Sequence, residues 1–485
     1  MIGIVVSRAD SASEHVCEHL LELADWRRRV DDAHPDAEGG GEVFRTDGFE
    51  LRTFEEIHID LAAAAAPFDD PDLLVFASRH AGDTGPLLTA HFTGNFGPAK
   101  FGGADNAVAT ACPNALSAVV DALDERAPPA YDVGVEATHH GPTEVGVPSM
   151  FVELGSDEDQ WRDPEGARAV AEAILELDGV APHAERRPGD GDSPAVTDCP
   201  IRRHVVGVGG GHYAPRFERI VRETGWHVGH VAADWALNAM GDPAEHRDVL
   251  DAAFERSEAD LALVDDADGE HEAVVDAIEE LGYRTVGERW LRETDGVPLS
   301  LVTPLEDELS PIAAGLRFGV PAREAELVPE DEVAIVDLPD DLLAEAQGVD
   351  ADAVRDAVER HAYAFETTES GSRTEGRAAF PVGSDADDSA ADADSSAADA
   401  DDPAAYRELI SALADVLAEK YDTVERRNGQ LRVATEAFDP ELAHAAGVPE
   451  GPAFGKLSNG QPVEVDGETV APEDVRSVRE AEFEV

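Results

Sequence analysis

The sequence predicts an α/β fold, a mostly parallel sheet flanked by helices, plus a small C-terminal α+β module after an acidic linker. Two observations carry this prediction. Over residues 1–295, short apolar runs alternate with amphipathic stretches, which is the order of strands and covering helices in a parallel sheet. Over residues 383–403 the chain is almost entirely Asp, Ala and Ser without apolar periodicity, and this run separates off a shorter segment.

The elements follow from the length and pattern of each run. Short apolar runs predict buried strands at 2–7, 73–78, 131–138, 150–154, 204–208 and 261–264. Amphipathic stretches predict helices at 13–26, 114–123, 164–177, 216–223 and 270–281. Residues 179–199 are polar and rich in Pro and Gly, which predicts a linker or a long surface loop.

Four regions result from this pattern. Residues 1–295 form the main domain, and residues 301–382 form an accessory region of mixed, acidic sequence. Residues 383–403 cannot bury a core, so we expect a disordered, self-repelling linker. Residues 404–485 form the small module, which opens with an amphipathic helix at 406–420 and continues in short strands and turns.

The charge of the chain is extreme. It carries 104 Asp and Glu against 37 Lys and Arg, a formal net charge of -67, yet 42% of its residues are hydrophobic. In concentrated salt the Debye length shrinks to about 3 Å, which screens such self-repulsion. We therefore interpret the acidity as adaptation to concentrated salt. A basic face that would indicate nucleic acid binding is missing, but salt adaptation weakens that argument.

The remaining composition indicates a cytoplasmic protein. No apolar run approaches the roughly 20 residues of a membrane span, and the first ten residues lack the pattern of a signal peptide. The cysteines Cys17, Cys112 and Cys199 are widely separated, which excludes a disulfide framework and fits a reducing interior. We also expect a monomer.

The most informative segment is 131–156, YDVGVEATHHGPTEVGVPSMFVELGS. A predicted strand leads directly into Glu136, His139 and His140. Ligands of open α/β sheets bind beyond the carboxyl ends of strands, and neutral imidazole is both a common metal ligand and a near-neutral base. An ordinary surface loop with two solvated histidines is the alternative.

A second segment, 205–217, reads VVGVGGGHYAPRF. A strand runs into Gly209, Gly210, Gly211 and His212, and a helix opens shortly afterwards. Glycines let backbone N–H groups approach an anion, and a helix amino end adds partial positive charge. It is not a dinucleotide fingerprint, because His212 occupies the third glycine position. A tight turn without a ligand fits the spacing equally well.

A third segment, 76–103, places His80 just after a predicted strand, followed by His91, Asn95 and Lys100 in a glycine-rich loop. Lys100 is the only lysine among the first 419 residues. A phosphate contact would explain it, although a solvated surface lysine is the alternative. His80, His139, His140 and His212 thus follow three different strands, and parallel strands would bring these ends to one edge of the sheet.

At these residues the sequence resembles the archaeal D-aminoacyl-tRNA deacylase family. The matching stretches occur in order over residues 1–295: SRH near 78, HFTGN near 91, EATHHGPT near 136, FVELGS near 151 and GVGGGHYAPRF near 207. The resemblance implies hydrolysis of the ester between a D-amino acid and the tRNA terminal ribose, with glycine mischarged on tRNA-Ala as a further candidate substrate. It also implies zinc dependence and a phosphorylase/hydrolase-like fold related to peptidyl-tRNA hydrolase.

On this interpretation the substrate is the terminal adenosine and acceptor end of D-aminoacyl-tRNA, and Zn²⁺ is the cofactor. His139, His140 and His212 are the candidate metal ligands or proton carriers, and His80 and Glu136 join them as catalytic candidates. Glu136 or Glu153 would orient a ligand or act as base, or both are solvated carboxylates. The candidate substrate-binding residues are Gly209, Gly210, Gly211, Lys100, Asn95 and Arg216, with Arg202, Arg203 and Arg219 beside them.

Three alternatives stay open. A peptidyl-tRNA hydrolase-like or nucleoside phosphorylase-like enzyme would share the implied fold, and a non-catalytic protein could bind tRNA without turnover. In the C-terminal module, residues 447–463 (GVPEGPAFGKLSNGQPV) resemble a C-terminal segment of ribonuclease Z-type tRNA 3′-processing enzymes. That resemblance implies a tRNA-docking element.

Overall fold

The structure, a computed structural model, divides the chain into two compact units, Met1–Asp295 and Gly296–Val485. Three expectations fall wholly or partly outside the described residues: the linker 179–199 from residue 187 onward, Cys199, and the acidic linker up to residue 401. The described residues are 1–186, 202–266, 269–326, 328, 332–382, 402–427, 429–465 and 467–485.

The first unit alternates strands and helices. Its strands are β1 Ile2–Ser7, β2 Arg27–Asp31, β3 Gly41–Thr46, β4 Phe49–Phe54, β5 Leu73–Arg79, β6 Leu87–His91, β7 Gly94–Asn95, β8 Ala107–Val108, β9 Asp132–Val135, β10 Ser149–Gly155, β11 His204–Gly209, β12 His227–Ala232, β13 Leu261–Asp265 and β14 Arg284–Val286. Its helices are α1 Ser11–Leu23, α2 Pro113–Arg126, α3 Glu158–Trp161, α4 Pro164–Leu175, α5 Pro215–Glu223, α6 Asp234–Met240, α7 Arg247–Ser257, α8 Glu272–Glu280 and α9 Glu288–Glu293.

The larger sheet of this unit is mixed, in the order β2-β3-β4-β1-β5-β10-β6-β9. Strands β4, β1, β5 and β10 run parallel, whereas β6 runs antiparallel to β10 and carries β9 parallel to itself. The register pairs Phe151 with Phe76 on one side and with His91 on the other. Because side chains alternate along a strand, Phe76, Phe151, Glu153 and His91 project from the same face.

That face is the foundation of the site described below. The rings of Phe76 and Phe151 stack with centroids 4.7 Å apart and are almost fully buried. They pack in one apolar cluster with Leu61, Phe68 and Val145 from the connecting loops. Helices α1, α2 and α4 pack on one another and on β5, β6 and β10, so the strands are buried between two layers.

The helices begin where the sequence supplies a cap. The Asp10 carboxylate accepts hydrogen bonds from the backbone N–H groups of Ala12 and Ser13, which starts α1. Asp163 caps α4 in the same way. Pro164 occupies the first helical position, where the missing N–H of proline costs no intrahelical hydrogen bond. Both helices then bury one apolar face.

The second sheet, β12-β11-β13-β14, is parallel throughout. It is joined to the first sheet by backbone hydrogen bonds to the segment that follows β9. Ala137 N–H donates to the carbonyl of His212 at 2.8 Å, and Ala214 N–H donates to that of Val135 at 3.2 Å. Thr138 N–H donates to the carbonyl of Val231 at 3.0 Å. Residues 135–138 are therefore held by both sheets.

The second unit is α+β. Its sheets are antiparallel, in the orders β15-β17-β18-β16, β19-β20-β23 and β21-β22. Its strands are β15 Arg317–Phe318, β16 Val333–Asp337, β17 Ala364–Thr368, β18 Arg373–Pro381, β19 Thr423–Arg427, β20 Gln430–Phe438, β21 Val463–Val465, β22 Glu468–Val470 and β23 Arg476–Glu484. Its helices are α10 Leu299–Glu308, α11 Val320–Glu324, α12 Asp340–Gln347, α13 Ala351–His361, α14 Ala404–Leu417, α15 Pro440–Ala445 and α16 Pro452–Ser458.

The regions 301–382 and 404–485, which we predicted as separate, share one core. Leu409 and Leu413 of α14 lie in the same apolar cluster as Phe365, Phe380 and Leu431. The segment 447–463 folds around α16 over a smaller cluster that includes Leu457, Val470 and Val475. The second unit is thus one accessory body rather than two.

The α/β class is confirmed, but the large sheet is mixed where we predicted mostly parallel strands. The strands with fully buried patterns, such as β1 and β10, lie where the apolar runs predict them. Strands β2 to β4 were missed because they are short and polar; the side chains of β2 are nearly all exposed. Within the described residues, no helix is long and apolar enough to cross a membrane.

Replacing Phe76 with Ala should lower the free energy of unfolding of the first unit by about 3–5 kcal/mol, because the lost ring leaves a cavity against Phe151. All five tryptophans lie in residues 1–295, so tryptophan fluorescence during denaturant titration reports on this unit. The control Val30→Ala, at a side chain that is 66% exposed, should change it by less than about 0.5 kcal/mol. Equal midpoints for the two variants would contradict the assignment of this core.

Candidate active site

Histidine and glutamate side chains converge over β6 and β10 on the face that bears Phe151. His91 ends β6 and Glu153 lies within β10, and His91 Nε2 is 3.6 Å from Glu153 Oε1. Both side chains are almost fully buried. The Phe151 ring stacks on the His91 ring at 5.3 Å between centroids. The apolar core thereby fixes the orientation of this imidazole.

The loop after β9 supplies three more groups. His139 Nε2 lies 3.7 Å from Glu136 Oε2, and the His139 ring centroid lies 4.1 Å from that of His91 and 4.3 Å from that of His140. His140 has a left-handed backbone with φ of 45°, which turns the chain sharply. The turn packs so tightly that a Cβ on Gly141 would lie 2.4 Å from the backbone nitrogen of Gly103.

Two further loops complete the cluster around Glu136. His212, from the loop after β11, places Nε2 2.9 Å from Glu136 Oε2. His80, after β5, places Nε2 3.6 Å from Glu136 Oε1 and accepts a hydrogen bond from the Tyr213 hydroxyl at 3.1 Å. Glu136 is therefore the centre on which three histidines converge.

Our prediction that parallel strand ends meet at one edge was wrong about the cause. His80 follows β5, whereas Glu136 and the pair His139 and His140 follow β9, which runs in the opposite direction. His212 arrives from the second sheet. The groups meet over the face of the large sheet because residues 212–214 pair with residues 135–137.

The histidine tautomers are set by the backbone. Nδ1 of His91 lies 3.0 Å from the carbonyl of Phe92, Nδ1 of His139 lies 2.8 Å from that of Ala137, and Nδ1 of His140 lies 2.7 Å from that of Gly141. A carbonyl only accepts, so each Nδ1 carries the proton and donates. In His139 and His140, whose pKa values burial lowers, Nε2 then keeps its lone pair, as in histidines that bind metals.

The donor set fits a metal ion. Three groups of side chains have their ligand atoms within 4.8 Å of one another. Among the described residues, His91 Nε2 and both carboxylate oxygens of Glu136 are buried without a hydrogen-bond partner. Buried polar atoms are costly to leave unpaired, and imidazole with carboxylate is a preferred set for Zn²⁺. The groups are His91, His139 and His140; His80, Glu136 and His212; and His91, Glu136 and Glu153.

Burial also fixes the protonation states. It lowers the pKa of His140 to about 3 and that of His139 well below its usual range, so both are neutral. Burial raises the pKa of Glu153 to about 7, against the opposing influence of His91. Burial would raise the pKa of Glu136 as well, but His212, whose Nε2 lies 2.9 Å from Oε2, and the adjacent imidazoles lower it overall. Glu136 is thus ionised.

Accessibility increases towards His212. The side chains of Glu136 and His91 are inaccessible, those of His80 and Glu153 are 5% exposed, His139 is 19% and His212 34% exposed. The closed end of the cluster lies against Phe151 and its open end at His212. A substrate therefore approaches from the His212 side.

The glycine loop borders this open end. Gly209 and Gly210 have φ of 90° and 78°, and a Cβ on Gly209 would lie 2.4 Å from the carbonyl oxygen of Asp265. Among the described residues, no acceptor is found for the backbone N–H groups of Gly210, Gly211 and His212. The loop can therefore donate hydrogen bonds to an anionic group.

The other predicted substrate-binding residues have mixed placements. Asn95 donates from Nδ2 to the carbonyls of Gly102 and Ala104, so it braces the loop 96–104. Lys100 is exposed on that loop. Arg216 Nε lies 3.1 Å from Asp265 Oδ1 and neutralises the carboxylate beside Gly210.

The remaining candidate arginines also pair with protein groups. Arg202 pairs with Glu258 and Arg219 with Glu288. Arg203 donates to the carbonyl of Thr294 at 2.9 Å and stacks over Trp226. These three are structural contacts of the first unit.

His91 is the functional residue that the sequence analysis left out of its candidate list. Its strand, β6, was not predicted, because the apolar run is short and glycine and proline flank it. His91 is the first residue of HFTGN, one of the stretches that resemble the family, and that match was the signal that could have identified it. Tyr213, next to His212, was likewise passed over although it contacts His80.

Comparison with known proteins identifies the family of the chain. A family model for D-aminoacyl-tRNA deacylase matches residues 67–286, which include every member of the cluster. The chain is 53% identical to a D-aminoacyl-tRNA deacylase of Natronomonas pharaonis over 100% of both chains. It is 51% identical to one of Halorubrum lacusprofundi over 100% of this chain and 97% of the other.

A solved structure described as a conserved protein of unknown function shares 30% identity, with a TM-score of 0.50, and covers 61% of this chain and 98% of its own. The fold and the site define an α/β enzyme with a buried histidine–carboxylate centre of the kind that hydrolases use. The chain belongs to the D-aminoacyl-tRNA deacylase family, as its motifs indicated, and is a hydrolase.

His230 supports the site from the second sheet and makes stability depend on pH. It contacts Thr138 Oγ1 at 3.0 Å through Nδ1 and the carbonyl of Ala109 at 2.8 Å through Nε2, and burial lowers its pKa from 6.5 to about 4. Between these values the unfolded chain binds a proton that the folded chain does not. The free energy of unfolding should therefore fall by up to about 1.4 kcal/mol per pH unit as pH decreases from 6.5 towards 4.

Replacing His230 with Gln, whose amide can keep both contacts, should remove this part of the slope in denaturant titrations at pH 7, 6 and 5. The partly exposed His246 offers a matched control, and His246→Gln should keep the slope of the parent. An unchanged slope in His230→Gln would show that His230 is not the group that titrates.

Proposed function

We propose that this protein hydrolyses the ester bond of D-aminoacyl-tRNA and releases free tRNA and the D-amino acid. The observation that carries the proposal is the buried cluster centred on Glu136, in which the Nε2 atoms of three imidazoles converge on an ionised carboxylate. Membership of the family supports the substrate. Glycine mischarged on tRNA-Ala would suit the same chemistry, because a site that excludes L-amino acids by the position of their side chain cannot exclude glycine, which has none.

We propose Zn²⁺ as the cofactor, with the predicted ligands His139, His140 and His212 and with His91 joining the first two. The ligand atoms of His91, His139 and His140 lie within 4.8 Å of one another, and that of His212 lies equally close to those of His80 and Glu136. His91 is an addition to the ligands that the sequence suggested. Its buried, unpartnered Nε2 supports this role. A bound Zn²⁺ polarises an ester carbonyl and lowers the pKa of its water towards ~7.

The protein groups account for the proton movements. Hydrolysis adds the oxygen of water to the acyl carbon and breaks the bond from that carbon to the ribose oxygen, so one proton leaves water and one reaches the ribose. Glu136, ionised and without a hydrogen-bond partner among the described residues, is the proposed proton acceptor. Burial raises the pKa of Tyr213, so its hydroxyl stays protonated beside His80 and can donate a hydrogen bond to the leaving oxygen, which takes up the proton that Glu136 removed from water.

The open end of the site suits the end of a tRNA. The N–H groups of Gly210, Gly211 and His212 can bind a phosphate or ribose oxygen, and Arg216 neutralises the neighbouring Asp265. Lys100 is the ammonium that we place near the acceptor end. We further propose that the protein acts as a cytoplasmic monomer, where aminoacyl-tRNA is made and used.

The purified protein in molar KCl should hydrolyse D-Tyr-tRNA at least about 100-fold faster than L-Tyr-tRNA, since an enzyme acting on both would strip correctly charged tRNA. Chelation should abolish activity, and added Zn²⁺ should restore it. Deacylation is measured by release of labelled tyrosine, with peptidyl-tRNA and nucleoside plus phosphate as rival substrates. Preference for either rival would overturn the proposed substrate.

Metal content gives an independent readout of the same proposal. His91→Ala should reduce bound zinc and activity together, whereas Val30→Ala, on an exposed strand, should change neither. Full activity of rigorously metal-free protein would exclude the zinc proposal. Wild-type metal content in His91→Ala would remove His91 from the ligand set.

Lys100→Ala should raise KM for D-aminoacyl-tRNA about two- to fivefold and leave kcat unchanged, the size expected for one exposed ionic contact. Its loop is fixed to the site, because Gly141 N–H donates to the carbonyl of Phe101 at 2.8 Å. Arg162→Ala, at a side chain that is 75% exposed, is the matched control and should be silent. If Lys100→Ala leaves KM and kcat unchanged, the proposal that the acceptor end of the tRNA binds near this loop is wrong.

A further inference from the structure

The exposed aromatic side chains of the protein are concentrated around one site. Among the large hydrophobic side chains that are exposed in the described residues, three are aromatic: Phe101 at 68%, Tyr213 at 37% and Trp235 at 47%. All three belong to segments that form or brace the histidine cluster. Large exposed aromatic surfaces are costly in water and mark binding sites. A chain adapted to salt by covering its surface with carboxylates has kept these rings exposed only here.

Trp235 stands at the open end of the cluster. Its ring centroid is 6.4 Å from that of His212, the most accessible histidine of the site. It lies on α6, whose buried residues Ala236, Leu237 and Met240 face the core of the second sheet, so the indole projects outward. Asp234 N–H donates to the carbonyl of Gly210 at 3.0 Å, which ties the start of α6 to the glycine loop. The backbone that carries the indole is thereby fixed to the glycine loop.

We propose that Trp235 is the stacking platform for the terminal adenine of the tRNA, an inference that rests on the proposed function. The base that adjoins the scissile ester belongs to the same nucleotide as the ribose. An adenine on Trp235 would therefore place that ribose between the indole and His212, at the mouth of the site. The free N–H groups of the glycine loop lie beside it for the phosphate of that nucleotide.

Two features favour Trp235 over Phe101 for this role. Phe101 lies away from the glycine loop, next to the turn at His140. Its backbone carbonyl accepts a hydrogen bond from Gly141 N–H there. The glycine loop with its available donors lies beside Trp235 only. Of the carboxylates near Trp235, Asp265 forms an ion pair with Arg216 at 3.1 Å and so repels a phosphate less, and Asp234 contacts His271 Nε2 at 3.0 Å.

Stacking also solves the problem of binding a polyanion in concentrated salt. Each phosphate contact weakens as salt rises, with log affinity falling by about 0.7 to 0.9 per contact for each tenfold increase. Stacking of a base on an aromatic ring involves no release of counterions and is available for any base. For an acidic protein, an indole is a better anchor for the tRNA end than added lysines.

The test compares tRNA ending in CCA with the same tRNA ending in CC, using the full-length protein in molar KCl. Binding of uncharged tRNA is followed by quenching of tryptophan fluorescence, with Trp235→Phe giving the background of the other four tryptophans. Wild type should bind the CCA form about tenfold more tightly than the CC form, and Trp235→Ala should bind both alike, measured by filter retention. Phe101→Ala, the matched aromatic control, should keep the wild-type ratio.

Kinetics separate a stacking role from a structural one. Trp235→Ala should raise KM for D-Tyr-tRNA about tenfold, and Trp235→Phe should restore most of it. Both variants should cleave D-tyrosine methyl ester, which has no adenine, at the wild-type rate. The proposal is overturned if Trp235→Ala retains the preference for CCA, if Phe101→Ala loses it, or if the small ester is cleaved equally poorly.

The two proposals fail in different ways. A wild-type protein that cleaves no D-aminoacyl-tRNA refutes the proposed function, and the CCA and CC comparison then still decides whether Trp235 binds the adenine. A wild-type protein that cleaves D-Tyr-tRNA but binds both ends alike refutes only the role of Trp235.

Discussion

The pairing of one short segment with both sheets is the constraint on which the active site depends. Residues 135–138 leave β9 and are bonded on one side to residues 212–214 and on the other to Val231. This places Glu136 of the first sheet within reach of His212, which belongs to the second. Among the three donor groups of the described residues, the group of His80, Glu136 and His212 needs both sheets. The site is therefore a product of the way in which the two sheets of the first unit are joined.

Burial determines the electrostatics of this site more than net charge does. The chain has a formal charge of -67, which would favour protonated histidines everywhere. Desolvation nevertheless lowers the pKa of His140 to about 3 and holds His139 neutral. Distant surface carboxylates act through water and salt and are screened, whereas the loss of hydration acts at full strength inside the protein. Acidification of the surface can proceed without disturbing the chemistry below it.

The sequence predicts the local parts of this arrangement and misses the non-local ones. Strands such as β1 and β10 are buried at every position and mostly apolar, and three consecutive glycines before His212 indicate a turn, so the sequence predicts these features. The antiparallel direction of β6 depends on partners distant in the chain, and with it His91 was missed. The convergence of Glu136 with His212 was predicted for the wrong reason, since a single sequence without alignment does not reveal which loops pair. From the sequence, Lys100 and Asn95 have the same predicted role in substrate binding, whereas in the structure the side chain of Asn95 donates a hydrogen bond within its own loop.

The three hydrogen bonds from Nδ1 have a consequence for how the protein can change over time. Each acceptor is a backbone carbonyl within two residues of its own histidine. No side-chain substitution elsewhere can remove such an acceptor, so the orientation of these imidazoles is insulated from drift in the surrounding sequence. Enzymes that orient such histidines with carboxylate side chains expose that function to single mutations. Here the neighbouring positions are free to diverge, or to be redesigned, while the three imidazole rings keep Nε2 directed into the cluster.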